Sequence, residues 1–304
     1  MVKHLLGLMG VPATEMEHYI ELARNIKSKK VKPILGQKTL AMLFEKSSTR
    51  TRVSFETGMT QLGGHAIFLD IKTSQLGRGE TIADTARTLS RYVDGVMVRL
   101  YKHSDAEELA KHSTVPIING LTDFEHPCQT LGDMLTVVEH KGKINGLKVA
   151  FVGDCAFNMS NSTILGFGTL GADVTVVCPD KDEYKPKAEF LAKARKQVKG
   201  KISVVHDPVE GVKGADVIHT DVWASMGQES EKEKRLNDLR PFQLNADLLK
   251  NAKPDHIVMH CLPAHRGEEI TNDVIDGKHS IVWDQAENRL HIQKAIMASL
   301  MGGY

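Results

Sequence analysis

The chain reads as an α/β protein of two domains, each a mostly parallel sheet flanked by helices. Three observations predict this. Helical and strand patterns alternate from end to end, the pattern of layered α/β folds. At 304 residues the chain is long for a single core. A charged, Gly-containing break, Lys141-Gly142-Lys143-Ile144-Asn145-Gly146, interrupts the alternation, which restarts beyond it. The expected domains are therefore 1–143 and 144–283, with a last helix, 284–304, returning to the first domain.

The elements follow in order. Thr14 and Glu17 have the spacing of a capping box that opens a helix running to about Ser28. Leu40-Ala41-Met42-Leu43-Phe44 is a continuous apolar run, as in a strand buried on both faces, so Thr39–Phe44 is a strand. Val53 to Met59 has helical spacing. Strands are expected at His65–Asp70, Gly95–Leu100 and Val115–Ile118, and helices at Thr81–Val93 and Asp105–His112. A long helical pattern runs from about Pro127 to His140. Beyond the break, strands are expected at Leu147–Val152, Asp173–Cys178, Ile202–His206, Asp216–His219 and His256–Cys261, and a final helix at about Asp284–Met301. The charge run Glu229–Arg235 reads as a solvated loop. No internal repeat or low-complexity tract is visible.

Composition narrows the function classes. Basic and acidic residues nearly cancel, 39 against 38, so no general attraction to nucleic acid or to an anionic membrane is implied. Any anion site must be local. Cys128, Cys155, Cys178 and Cys261 are scattered, with neither CxxC nor zinc-like spacing, which fits a reduced, cytoplasmic setting and no metal cluster. No apolar run approaches the length of a membrane span. The apolar patch Leu5–Met9 is short and an acidic helix follows at once, which reads against a secretory signal.

Several segments carry candidate chemistry. Ser47-Ser48-Thr49-Arg50-Thr51-Arg52 lies at a strand-to-helix junction. Unpaired N–H groups at a helix start and the helix dipole favour an anion there, and guanidinium forks match phosphate oxygens two at a time. Ser and Thr also cap helices with no ligand present. Arg99 ends the apolar strand Val96-Met97-Val98, and ligands collect outside the carboxyl ends of parallel strands; surface charge is the plain alternative. In Glu125-His126-Pro127-Cys128-Gln129 the proline suits a first helical turn. His126 there is a candidate donor to a developing oxyanion, Gln129 reaches the same place one turn on, and Cys128 points to the core. Asp221-Val222-Trp223-Ala224-Ser225-Met226-Gly227 follows a strand, and its acid and serine suit an ammonium and a carboxylate. His260-Cys261-Leu262-Pro263 also ends a strand. Neighbours on a strand point to opposite faces, so His260 is a poor base for Cys261.

This ordered set resembles the carbamoyltransferases, most closely their ornithine-using branch. The resemblance rests on Ser48-Thr49-Arg50-Thr51, Gln75, Arg99, His126-Pro127-Cys128-Gln129, Asp221 with Ser225-Met226-Gly227, His260-Cys261-Leu262-Pro263 and Arg289, which span nearly the whole chain. It implies an active site in an interdomain cleft, with carbamoyl phosphate held by the first domain and L-ornithine by the second. It implies L-citrulline and phosphate as products, a place in arginine biosynthesis, no cofactor, and a homotrimer.

Carried over by position, Ser48, Thr49, Arg50 and Thr51 hold the phosphate, and Gln75 reaches a neighbouring subunit's site. Arg99 bridges phosphate and carbonyl oxygen, while His126 and Gln129 hold the carbamoyl group. Asn158, Asp221, Ser225 and Met226 position ornithine; Cys261, Leu262 and Arg289 close around the reacting carbon. Arg99, His126, Asp221 and Cys261 are the implied catalytic set. The loop Gln75-Leu76-Gly77-Arg78-Gly79-Glu80 lacks the lysine of aspartate carbamoyltransferases, and an acid at Asp221 suits the α-amino group of ornithine. Ala156-Phe157 is less polar than the corresponding segment of many relatives. A related amine such as putrescine or N-acetylornithine, and a catalytically silent regulatory homologue, are the alternatives. A dinucleotide enzyme is disfavoured because Gly153-Asp154-Cys155-Ala156-Phe157-Asn158 is not GxGxxG.

Overall fold

The computed structural model describes residues 2–30, 34–224 and 231–302. It divides into two compact units, Met1–Leu135 with Asn288–Tyr304, and Thr136–Glu287.

The first unit opens with α1 (Ala13–Lys27). Its N-cap is Pro12, without a side-chain cap, so the helix starts ahead of the Thr14–Glu17 box read from the sequence. A proline at this position already has the restricted φ that a chain entering a helix needs. Then come β1 (Thr39–Phe44), α2 (Thr49–Gln61), β2 (His65–Asp70), α3 (Ile82–Leu89), β3 (Gly95–Arg99), α4 (His103–His112), β4 (Ile117–Leu121) and α5 (Pro127–Lys141). The strands form one parallel sheet in the order β2-β1-β3-β4. Ala41, Leu43, Val96 and Val98 pack on one face with Ile71, Ala86 and Leu109. Leu40, Met42 and Met97 are buried as well, so both faces are covered.

The second unit contains β5 (Lys148–Val152), α6 (Asn158–Thr169), β6 (Asp173–Val177), α7 (Ala188–Gln197), β7 (Ile202–Val205), α8 (Pro208–Val212), β8 (Val217–Thr220), α9 (Lys232–Leu239), α10 (Ala246–Leu249), β9 (Ile257–His260) and α11 (Asn272–Ile275). Its parallel sheet has the order β7-β6-β5-β8-β9. Ala150, Val152, Ile218 and Val258 pack against Phe242, Leu244, Ile270 and Val282. The last helix, α12, spans Val282–Leu300. Among the described residues, no helix is long and apolar enough to cross a membrane.

One expectation fails. Of the charge run Glu229–Arg235, residues 229 and 230 lie outside the described residues, but Lys232–Arg235 form the first turn of α9. Arg235 is buried there, not solvated. A single long-range carboxylate partner, Asp154, outweighs the polar character of the run.

Both sheets reverse their winding once, between β1 and β3 and between β5 and β8. Such reversals leave a crevice outside the carboxyl ends of the strands, where open α/β sheets bind ligands. The segments after β1, β3 and β4 in one unit, and after β5, β8 and β9 in the other, are the ones singled out from sequence.

Candidate functional site

In the first unit the junction after β1 has the form an anion site needs. Ser48 is the extended N-cap of α2, and its hydroxyl accepts from the Thr51 N–H at 3.4 Å. It also donates to Thr51 Oγ1 at 3.2 Å. Thr49 and Arg50 are exposed at the first turn, where backbone N–H groups have no helical acceptor. Arg52, by contrast, is already engaged. It pairs with Glu56 at 2.9 Å and lies 3.8 Å over the Phe68 ring.

Two further guanidinium groups converge on Thr51. Arg99, at the end of β3, donates to Thr51 Oγ1 at 3.5 Å. Arg289, from α12 and buried, donates to the same oxygen at 3.4 Å and to Gln129 Oε1. Gln129 donates in turn to Asp133 at 2.8 Å. With the Gln293 amide turned to suit its neighbours, its oxygen accepts from Arg289 at 2.9 and 3.2 Å.

His126 is buried at the start of α5. Burial above all, then the charges of Arg289 and Arg99, hold its imidazole well below the ordinary range. It is therefore a neutral group near neutral pH, able to donate one hydrogen bond without bringing a further positive charge. Cys128 is fully buried, bonds to the Asn119 carbonyl at 3.3 Å, and has its thiol pushed up to about 12 by burial. It is a core residue, as its helical position predicts. Gln75 is exposed, and among the described residues no hydrogen bond holds its side chain.

A feature missed from sequence aims Arg99. The β3–β4 register pairs Val98 with Asn119 but Arg99 with Leu121, so Gly120 is the extra residue of a bulge. Bulges re-aim neighbouring side chains and recur beside active sites. A Cβ at Gly120 would lie 2.7 Å from Met97 Sδ, 3.1 Å from the Val98 carbonyl and 3.5 Å from Thr51 Cγ2. Gly120→Ala is expected to cost about 1–3 kcal/mol, the usual cost of overpacking. The same push on Thr51 and Val98 lowers affinity for an anion held at Thr51. Thermal denaturation and ligand titration check both; an unchanged midpoint with unchanged affinity would show that the bulge has slack.

In the second unit, Asn158 is the first residue of α6, after β5. Asp221 follows β8; its Oδ1 accepts from the Val222 N–H at 2.8 Å and from Cys261 Sγ at 2.9 Å. Cys261 follows β9 and, unlike the other three cysteines, is not fully buried. Ser225 and Met226 lie outside the described residues.

His260 is engaged by groups other than Cys261. Its Nδ1 accepts from the Leu262 N–H at 2.9 Å, so the ring proton sits on Nε2 and is donated to buried Glu269 at 2.8 Å. Glu269 also accepts from the His265 N–H at 2.6 Å. This chain fixes the backbone beyond Cys261, where Leu262 holds a left-handed φ of 57° and the Leu262–Pro263 bond is cis. A left-handed φ is uncommon for a branched residue and persists only when the surroundings enforce it. Asp221, His260 and Cys261 bring one potential ligand atom each within 4.8 Å of one another. Both nitrogens of His260 are already committed, so this proximity reflects the packing of the loop.

One unit thus carries Arg50, Arg99, Arg289 and a neutral imidazole at strand ends and helix starts, and the other a carboxylate and a thiol at strand ends. Such a division suits a group transferase with separate α/β domains for an anionic donor and for an acceptor. Comparison with known proteins specifies which one. Residues 3–139 match the aspartate/ornithine carbamoyltransferase carbamoyl-P binding domain, and residues 145–300 match the aspartate/ornithine carbamoyltransferase Asp/Orn binding domain. The chain belongs to the aspartate/ornithine carbamoyltransferase family and is a carbamoyl-group transferase. A relative from Pyrococcus furiosus, an anabolic ornithine carbamoyltransferase, is 55% identical over 99% of this chain and 97% of its own length. The ornithine carbamoyltransferase of Archaeoglobus fulgidus is 52% identical over 99% of this chain and 98% of its own. The solved ornithine carbamoyltransferase of P. furiosus superimposes with a TM-score of 0.94, at 55% identity, over 99% of this chain and 98% of that one.

Proposed function

We propose that the chain transfers the carbamoyl group of carbamoyl phosphate to the side-chain amine of L-ornithine, giving L-citrulline and phosphate. The observation that carries this is the convergence of Arg99 and Arg289 on Thr51 Oγ1, with neutral His126 beside them. Relatives at 52–55% identity, matched along nearly their full lengths, are ornithine carbamoyltransferases, which supports ornithine as acceptor.

The chemistry is an acyl transfer. The neutral amine nitrogen forms a bond to the carbamoyl carbon, and the carbonyl electron pair moves onto oxygen. That pair returns as the carbon–oxygen bond to phosphate breaks, and the amine loses a proton. Arg99 and His126 donate to the oxyanion, with Gln129 holding the carbamoyl amide. Arg50, Arg289 and the backbone of Ser48–Thr51 hold the leaving phosphate. One oxyanion donor of this kind contributes about 3–4 kcal/mol. Alignment of the two substrates contributes about 7–11 kcal/mol. Carbamoyl phosphate carries its own leaving group, so no organic cofactor is required.

Asn158, Asp221, Ser225 and Met226 hold the amino acid. A lysine-like amine is mostly protonated at neutral pH, its pKa being about 10.4. Asp221, with the Cys261 thiol bonded to it, biases it toward the neutral nucleophile by taking up the proton the amine loses; Cys261 forms no covalent intermediate, and Leu262 shields the reacting carbon. The assembly is a homotrimer in the cytoplasm, with Gln75 completing a neighbouring subunit's site, and the reaction serves arginine biosynthesis. The relative named anabolic supports that direction.

A colorimetric assay for carbamoylated product tests the proposal, with ornithine, putrescine, N-acetylornithine and aspartate offered in parallel. Citrulline from ornithine alone is expected. Preferred use of another amine would replace ornithine as acceptor, and no product from any would leave only a silent homologue.

A further inference from the structure

Among the buried charged groups that the mechanism above leaves without a task, Arg235 is the most tightly held. Arg235, on α9, is almost fully enclosed in the second unit, with its side chain 5% exposed. Its Nη1 donates to Asp154 Oδ2 at 2.6 Å, and that carboxylate is only 3% exposed. Its Nε donates to Glu231 at 3.1 Å. The guanidinium lies 5.3 Å from the Tyr184 ring and 5.7 Å from the Phe157 ring, within reach of a cation–π contact. Phe157 of the Ala156-Phe157 pair thereby acquires a partner.

The placement of these groups matters. Asp154 and Phe157 bracket the turn after β5; Asp154 Oδ1 accepts from the Ala156 N–H at 3.0 Å, and Phe157 is the N-cap of α6. The residue after Phe157 is Asn158. Arg235 belongs to α9, the first α-helix after Asp221 among the described residues, and Asp221 lies close enough to Asp154 to raise its pKa. Tyr184, beneath the guanidinium, is itself held by Asp238 of α9 at 3.0 Å.

We propose that Arg235, locked to Asp154 and laid over Phe157 and Tyr184, is a positioning residue for the acceptor amino acid, joining the turn that carries Asn158 to the chain that carries Asp221. This deepens the proposed function and rests on ornithine being the acceptor. Two chain segments that must hold one small molecule are fixed to each other by a group that does not touch it. A guanidinium is suited to this because it bonds in plane and stacks on its faces together.

The pair also titrates in a useful range. Burial pushes the Asp154 carboxyl up to about 6, helped by the charge of Asp221 and opposed by the Ala156 N–H and by Arg235. Glu231, from the start of the α9 segment, faces the same guanidinium, and the neighbouring Cys155 thiol is raised by its own burial. An acid whose folded pKa lies above its unfolded value gains protons on folding, so acidification through that range does not unfold it. It does remove the ionic hold on Arg235.

Arg235→Met is expected to raise KM for ornithine about tenfold or more while KM for carbamoyl phosphate stays within about twofold, with Arg235→Lys intermediate. Phe157→Leu keeps the ion pair and removes the ring; a rise of about threefold for ornithine alone is expected. If Arg235→Met does not fold, the Lys and Leu variants carry the test. Binding of L-2-aminopentanoic acid, which lacks the side-chain amine, is measured at saturating carbamoyl phosphate. Its affinity should fall on acidification with a midpoint near 6 in the wild type, and Asp154→Asn should abolish that step. Equal rises in both KM values, or lowered thermal stability with unchanged KM, would overturn the inference. Wild-type turnover of ornithine in the same assay tests the underlying reading separately.

Discussion

Replacing Arg50 with alanine is expected to lower kcat/KM for carbamoyl phosphate by about 10²–10³-fold, the usual loss on removing one donor from an acyl-transfer site. The fold should hardly change. Arg50 is exposed on the first turn of α2, and among the described residues no hydrogen bond or ion pair holds its guanidinium; the Ser54 hydroxyl donates to its backbone carbonyl at 2.7 Å. Exposed substitutions of this kind usually fall within about 0.5 kcal/mol in stability. Arg52, two residues on, is the matched control. Its charge is committed to Glu56 and its plane to Phe68, so Arg52→Ala should leave saturation by carbamoyl phosphate nearly unchanged. Initial rates over a range of carbamoyl phosphate at fixed ornithine, with thermal midpoints for both variants, decide the matter. Normal saturation of the Arg50 variant, or equal damage from both, would remove the phosphate assignment from this turn.

That contrast marks how far sequence reasoning reaches. The segment Ser48–Arg52 announces an anion site because a strand, a hydroxyl-rich cap and two arginines adjoin locally. Which arginine is available depends on Glu56 one turn on and on Phe68 of β2, and the second contact is not local. The strands were legible because a sheet covered on both faces gives continuous apolar runs, as at Leu40–Phe44. Helix starts were less so: a capping box at Thr14 competed with Pro12, and the proline sets the boundary. Long-range polar burial was invisible. Nothing in Glu229–Arg235 signals that Arg235 faces a carboxylate 81 residues away, or that an aromatic at 157 stacks on it. The same holds for Gly120, whose role depends on a register shift between two strands. The expected strand Val115–Ile118 stops short of Gly120, so the usual sign of a bulge, a glycine within a strand pattern, is absent from the sequence. Glu269 was equally hidden, since its task of orienting His260 is defined only by the folded loop.

Asp221→Asn separates the two substrates. Asparagine keeps an oxygen where Asp221 Oδ1 accepts from the Val222 N–H and from Cys261 Sγ, so the turn after β8 should survive. What disappears is the negative charge. A hydrogen bond to a charged group is worth about 1.5–3 kcal/mol, so KM for ornithine should rise roughly 10- to 150-fold. Carbamoyl phosphate, which we assign to Arg50, Arg99 and Arg289 of the other unit, should keep its affinity within about twofold, because substitutions that share no partner add independently. Removing the acid also removes an acceptor for the proton that the reacting amine must lose. Part of the lost turnover should therefore return at higher pH, where more neutral nucleophile is present. Direct binding of carbamoyl phosphate by calorimetry, together with ornithine saturation curves from pH 7 to pH 9, measures both effects. Parallel loss of affinity for the two substrates would show that Asp221 supports the fold of its unit, and the acceptor assignment would then have to pass to Asn158 and Cys261.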